Sequence, residues 1–329
     1  LIGIVMSVMS DSTVKNSYAV GTVTGEGQYD AGGLIGFSGF STIQNCYANV
    51  AVDGDEYVGG LIGNEGMGRV TNCYATGSVT GNAASTGGLV GYYSEGSIYS
   101  NNWWYNNASR GVGIGSPGNV TKDPIGKESF YSSAHQVYKY GQAGGWDIES
   151  HNGHTWIMAG YPHLQMERTD TITNIVELQM MALDLDADYT LANDIDASET
   201  ASWNGGAGFE PVGTESSHFS GSLAGNSKTI SGLYINRSDT DYVGLFGYAN
   251  LGANAISNLN LNVAKVKGGG ILGMTGGLIG YLGSGTVSNC SVTINSGGEV
   301  SGTYYVGGLV GENSGTIDSA SVDIYGTVS

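Results

Sequence analysis

Positive charge is scarce in this chain of 329 residues. Lysine and arginine together number 11 against 29 acidic residues, a formal net charge of -18. A polyanion such as nucleic acid would be repelled by that balance, so nucleic acid is excluded as a partner. Proline occurs only 4 times beside 57 glycines, and no strict Gly-X-Y period runs through the sequence, which excludes a collagen-like fold. Cysteine is limited to 3 residues, an odd and sparse set that cannot form a disulfide framework. Long hydrophobic runs are missing too. The apolar residues come in pairs such as Leu34-Ile35 and Leu89-Val90, well short of the roughly 20 residues a membrane helix needs. Charged residues make up only 12%, while neutral polar side chains are abundant. That character fits secreted or surface-exposed material.

What the chain does contain is one short word, Gly-Gly-Leu-[Ile/Val]-Gly, in five copies. They begin at Gly32, Gly59, Gly87, Gly276 and Gly307. From Gly32 to Gly59 and from Gly59 to Gly87 the steps are 27 and 28 residues, and from Gly276 to Gly307 the step is 31. A near-constant step of this size marks a repeat architecture. Between the words a second pattern recurs: Asn16-Ser17-Tyr18-Ala19, Asn45-Cys46-Tyr47-Ala48 and Asn72-Cys73-Tyr74-Ala75, with a degenerate copy from Ile98 to Trp104. From Cys73 to Thr80, small and apolar residues alternate with polar ones at period two, the mark of a half-buried strand. Only Ile172 to Leu185 suggests a short helix, with Ile172, Ile175, Leu178 and Met181 at helical spacing.

One coil per repeat gives an all-β fold, a β-solenoid of stacked parallel coils. Stacking places equivalent residues one strand spacing apart, about 4.8 Å. The expected columns are Asn16/Asn45/Asn72 near a corner, Ser17/Cys46/Cys73 inward, and Tyr18/Tyr47/Tyr74 outward, with Trp103 ending the tyrosine column. Cys290, in a matching Asn-Cys pair, is likewise expected as a small core residue. Residues 1–109 read as the C-terminal part of one solenoid unit, and residues 171–329 as the start of the next. The aromatic, non-repetitive stretch 110–170 reads as an irregular capping or junction segment that covers exposed strand edges. The chain opens on Leu1-Ile2-Gly3, the last letters of the word, and stops soon after a further copy, so both ends read as cut.

These words, with Asn-Cys-Tyr-Ala between them, resemble the GLUG motif of large bacterial surface and secreted proteins, among them filamentous-haemagglutinin-like adhesins. The segments Leu178 to Asp196, Phe209 to Gly213 and Trp146 to Gln165 are similar to those flanking such repeats. The resemblance implies a right-handed parallel β-helix and an extracellular, cell-surface or secreted location. It does not specify function, because the repeat accompanies many different proteins.

Candidate chemistry is thin. Asp184, Asp186, Asp188, Asp194 and Asp196 form the densest acidic run. Calcium needs six to eight oxygen ligands, which makes this a speculative calcium site, but the run lacks the glycine and terminal glutamate of an EF-hand loop. His151 and His154 have no further ligand cluster in the sequence for zinc. No nucleophile elbow, zinc-protease motif or P-loop is present. A polysaccharide lyase needs a base beside a cation, and the basic residues are scattered. The outward aromatics Tyr18, Tyr47, Tyr74 and Trp103 offer a speculative ladder for stacking on sugars. Ice binding is disfavoured, since Thr22-Val23-Thr24 has no equivalent at Val50 to Val52. The reading that follows is a non-enzymatic structural or adhesive segment. It would work as a stiff rod or fibre, self-associating head-to-tail or holding a surface glycan or protein. A carbohydrate-binding face and a lyase-like β-helix stand as alternatives.

Overall fold

The structure is a computed structural model, and it describes residues 2–6, 12–25, 27, 29–115, 120–122, 146–148 and 153–329. These divide into two compact units, Leu1–Asp147 and Ile148–Ser329. The stretch 110–170, expected as a junction, is shared between them, and much of it lies outside the described residues.

In the first unit the coils stack in parallel and in register, building three sheets. One runs through Ile35–Gly39, Ile62–Gly66, Val90–Tyr93 and Val112–Ile114, where Ile35, Ile62, Val90 and Val112 sit directly above one another. A second is dominated by Ser12–Gly25 and Ser41–Gly54, which pair over thirteen positions from Ser12↔Ser41 to Gly25↔Gly54. The third is short and joins Ala31–Gly32, Val58–Gly59 and Thr86–Gly87. Parallel stacking is what one coil per repeat demands, because each strand meets its equivalent a full repeat later.

The glycine word closes the corner between two of these sheets, and its composition has a steric cause. At Gly59 a β-carbon would lie 1.9 Å from the Ile62 carbonyl oxygen, within its own coil. At Gly60 it would lie 2.2 Å from the Gly88 carbonyl oxygen, in the next coil. At Gly63 it would lie 2.6 Å from the Gly36 carbonyl oxygen, in the coil before. No side chain fits at any of the three. The leucine between them points inward and is fully buried, as at Leu61 and Leu89. Its carbonyl accepts two hydrogen bonds from the coil before: Leu89 O takes the N–H of Leu61 at 2.9 Å and of Ile62 at 3.1 Å.

The asparagine column turns the opposite corner. Asn16, Asn45, Asn72 and Asn101 all adopt positive φ, between 48° and 54°. Asparagine tolerates this left-handed conformation better than most residues. Each side-chain amide also donates to the carbonyl oxygen of the asparagine one coil earlier: Asn45 to Asn16 at 3.1 Å, Asn72 to Asn45 at 3.3 Å and Asn101 to Asn72 at 3.2 Å. Cys46 and Cys73 point inward as expected, both fully buried and free. Burial pushes the Cys73 thiol well above its ordinary pKa, which keeps it protonated.

The second unit repeats the scheme with wider coils. Phe246, Ile279 and Val310 stack in register, as do Leu223, Ile256, Val287 and Ile317. Asn226, Asn258 and Asn289 again hold positive φ. The core is larger, with Phe219 and Phe246 in contact at 4.8 Å. The expected helix is present but short. Ile175–Gln179 is α-helical, capped by Asn174, whose side chain accepts from the Glu177 N–H at 3.0 Å, and Met180–Leu183 continues as a 3-10 turn. Its apolar face, Ile175, Leu178, Met180 and Met181, is buried. Two pairings among the described residues depart from the parallel plan: Trp156–Ala159 runs antiparallel to Tyr161–Leu164 about a turn at Gly160, where φ is 80°, and Gly208 bridges Ile235 in the same sense.

Candidate functional site

The tyrosine column forms, but it does not face solvent. Tyr18, Tyr47 and Tyr74 are in register, with ring centroids 5.2 and 5.0 Å apart and nearly parallel planes. Only Tyr18 is exposed, at 45%; Tyr47 and Tyr74 are each 1% exposed. Trp103 continues the column beside Tyr74 and is buried as well. The expectation of an outward ladder is therefore corrected. Trp146, more than seventy residues further along, packs at 5.8 Å on Tyr74 and donates its indole N–H to the Asn101 carbonyl at 3.1 Å. The stack is an internal girder of the first unit and leaves no flat aromatic platform at Tyr47 and Tyr74 on which a sugar could lie.

The acidic run is likewise redistributed. Asp184 accepts from the Arg168 guanidinium at 2.8 Å, and the same guanidinium meets Asp170 at 2.8 Å. Tyr189 completes this group: its hydroxyl donates to the Asp184 carbonyl at 2.8 Å, and burial pushes its pKa up to about 12. The other carboxylates bracket one coil to the next. Asp186 accepts from the Ser220 hydroxyl, Asp188 from the Ser222 hydroxyl at 2.6 Å, and Asp194 from the Thr229 N–H at 2.8 Å. Asp196 accepts from the Ser198 N–H at 2.9 Å, and hydrogen bonding from Ser198 lowers its pKa. Among the described residues no group of three or more His, Cys, Asp or Glu is placed to hold a metal ion. The five aspartates are thus not gathered into a calcium cage. His154, which donates its backbone N–H to the Gln165 side-chain oxygen at 3.1 Å, lies in the second unit, and His151 lies outside the described residues.

Two features escaped the sequence. The first is a carboxyl group inside the solenoid. Glu65 is fully buried, in register between Ser38 and Tyr93. The Tyr99 hydroxyl donates to its Oε2 at 3.4 Å, while its Oε1 and the buried Ser38 Oγ have no hydrogen-bond partner within range among the described residues. Burial raises the Glu65 pKa, an effect that the nearby polar groups of Ser97, Gly68 and Tyr99 only partly offset. The second is an aromatic cluster on the second unit. Tyr248 and Tyr281, in register on adjacent coils, meet with tilted rings at 4.7 Å, Tyr242 meets Tyr248 edge-on at 5.2 Å, and His218 lies 5.8 Å from Tyr248. All four are partly exposed. Tyr242 leads into an open pocket of about 390 Å³, lined also by Glu210, Pro211, Gly213, Thr214, Glu215, Ser216, Arg237, Thr240 and Asp241. These residues come from neighbouring coils and share no local motif.

Comparison with known proteins agrees with the repeat. Residues 54–80, one coil running from Gly54 through the Gly59 word to Thr80, match the family model described as the GLUG motif. Over 128 residues, 37% of this chain, the sequence is 43% identical to halomucin of Haloquadratum walsbyi, and the match covers 1% of that protein. Over 153 residues, 38% of the chain, it is 38% identical to a putative Gly-rich membrane protein of Evansella cellulosilytica, covering 17% of it. No solved structure matches significantly. The chain therefore spans a small fraction of the length of both relatives.

Proposed function

We infer that this GLUG-bearing chain is a structural segment of a large surface-associated repeat protein, acting as a stiff spacer or scaffold in attachment or fibre assembly. The observation that supports this most directly is the way the coils meet. Neighbouring coils approach through main-chain atoms at the glycine words, as where Gly60 faces the Gly88 carbonyl and Gly277 the Gly308 carbonyl, and in the first unit through a continuous amide column at the asparagine corner. Such joints resist bending, because a bend would have to break several of them together. The surface location is suggested by the names of the two relatives, a halomucin and a Gly-rich membrane protein. The low charged fraction and the acidic balance fit an exposed role in a salty medium. In this reading the segment performs no catalysis; its work is mechanical, and weak lateral contacts add up along many copies.

The test is electron microscopy of the native full-length protein at its source, together with force spectroscopy on the segment. Stiff projections or continuous fibres, and stepwise unfolding at high force, are expected. Collapsed, flexible chains that extend without force peaks would refute the reading.

A further inference from the structure

The pocket beside Tyr242 has a composition that the mechanical role does not require. Tyr242, whose ring meets Tyr248 edge-on, is one of its lining residues, and Arg237 is another. The Arg237 Nε donates to the Phe209 carbonyl at 3.2 Å, which fixes the guanidinium and leaves its terminal N–H groups without a partner among the described residues. Glu210, Glu215 and Asp241 are the acidic residues of its lining. The Glu210 main chain is locked, donating its N–H to the Gln179 side chain at 2.8 Å and accepting from the Gln179 amide at 3.0 Å. Asp241 is held by the Leu272 N–H at 2.8 Å. The volume, about 390 Å³, falls at the small end of the roughly 300–1,000 Å³ range of small-molecule sites.

We propose that this pocket binds an uncharged hexose unit of a glycan, with Tyr242 against the apolar face of the sugar ring, the carboxylates accepting from its hydroxyls and Arg237 donating to them. A polyol needs this combination, because every hydroxyl both donates and accepts and one face of the ring carries only C–H groups. Tyrosine offers a flat apolar body with a polar tip. Three carboxylates against one guanidinium leave the pocket negative, which disfavours uronates and sulfated sugars. Burial, and after it the Glu215 carboxylate, raise the Tyr242 pKa, so the phenol stays protonated and able to donate. The proposal stands apart from the mechanical reading, since a stiff scaffold with no ligand would leave that reading intact.

The experiment is calorimetric titration of the chain with cellotriose, maltotriose, galactotriose and tri-N-acetylchitotriose, with trigalacturonate as the anionic counterpart. At least one uncharged trisaccharide is expected to saturate and to bind at least tenfold more tightly than trigalacturonate. Tyr242→Ala should weaken it about tenfold. Because that change also removes a packed ring, the second variant is Glu215→Lys, at an exposed turn position where folding is not at stake. It should narrow or reverse the preference over trigalacturonate. The proposal is overturned if no uncharged trisaccharide saturates by about 10 mM, if trigalacturonate binds as well as the neutral sugars, or if binding survives both variants unchanged.

Discussion

Asn45 offers a test in which the sign of an effect, and not only its size, is at stake. The residue has φ of 53° and sits between two neighbours in the amide column, donating to Asn16 and accepting from Asn72. Replacing it removes both bonds. A hydrogen bond is worth roughly 0.5–1.5 kcal/mol net, and these are partly exposed, so the pair contributes about 1–2 kcal/mol. Asn45→Gly loses that and little else, because glycine enters the left-handed region freely. Asn45→Ala loses the same two bonds and adds the steric cost of a β-carbon at positive φ, roughly 1–2 kcal/mol. The totals are about 1–2 kcal/mol for glycine and about 2–4 kcal/mol for alanine. In an ordinary extended position the order would be reversed, since glycine is the more destabilising substitution within a strand. Equilibrium urea unfolding of the chain, with the two variants compared at equal m-value, measures the difference. Hydrogen exchange across Ser41–Gly54 locates it. If alanine proves as stable as glycine or more so, the corner is not held by its backbone conformation and the reasoning fails.

Three further outcomes follow from the coils and their carboxylates. Gly60→Ala drives a β-carbon to 2.2 Å from the Gly88 carbonyl and should cost about 3 kcal/mol; Gly66→Ala, whose nearest neighbour would be 3.7 Å away, should change stability by about 0.5 kcal/mol or less in the same denaturation series. Because the folded-state pKa of Glu65 is raised, the folded chain holds that proton more firmly than the unfolded one. Its burden is absent below the ordinary glutamate pKa and grows as pH rises through the folded value, so Glu65→Gln should be more stable than wild type at neutral pH, with the gap closing in acid. Each unit of pKa elevation corresponds to about 1.4 kcal/mol, and a gap that does not depend on pH would refute the assignment. Since Asp186, Asp188 and Asp194 already accept hydrogen bonds from neighbouring coils, millimolar calcium or EDTA should leave the melting temperature unchanged; a calcium-dependent rise of several degrees would reveal a bound ion.

Much of the architecture was legible because it depends on equivalence between copies. The glycine words, the inward cysteines and the asparagine corner all follow from stacking one coil on the next. Alternation along Cys73 to Thr80 places Cys73, Ala75 and Val79 inward, although the segment forms two short strands, Tyr74–Ala75 and Val79–Thr80, and not one. It cannot say which outward face a distant segment will cover, and for Tyr74 that cover includes Trp146, a contact no local pattern records. The aspartates misled for a related reason. Their density along the chain suggested a shared ion, whereas in the solenoid most of their partners lie a full coil away, as with Asp188 and Ser222. The pocket at Tyr242 was invisible because Glu215 becomes a neighbour of Arg237 and Asp241 only once two coils are stacked.

The glycine corners also bear on how such a protein can change length. Where Gly33 meets Gly60, Gly60 meets Gly88 and Gly277 meets Gly308, the group faced is each time the carbonyl of the equivalent glycine one coil on. A duplicated coil therefore arrives already complementary to both its neighbours, and a deleted one leaves ends that still match. Gene recombination between copies can lengthen or shorten the array in whole coils while the interior remains sealed. Selection is then free to act on the outer loops, whose variation accounts for coil steps of 27, 28 and 31 residues from Gly32 to Gly59, Gly59 to Gly87 and Gly276 to Gly307.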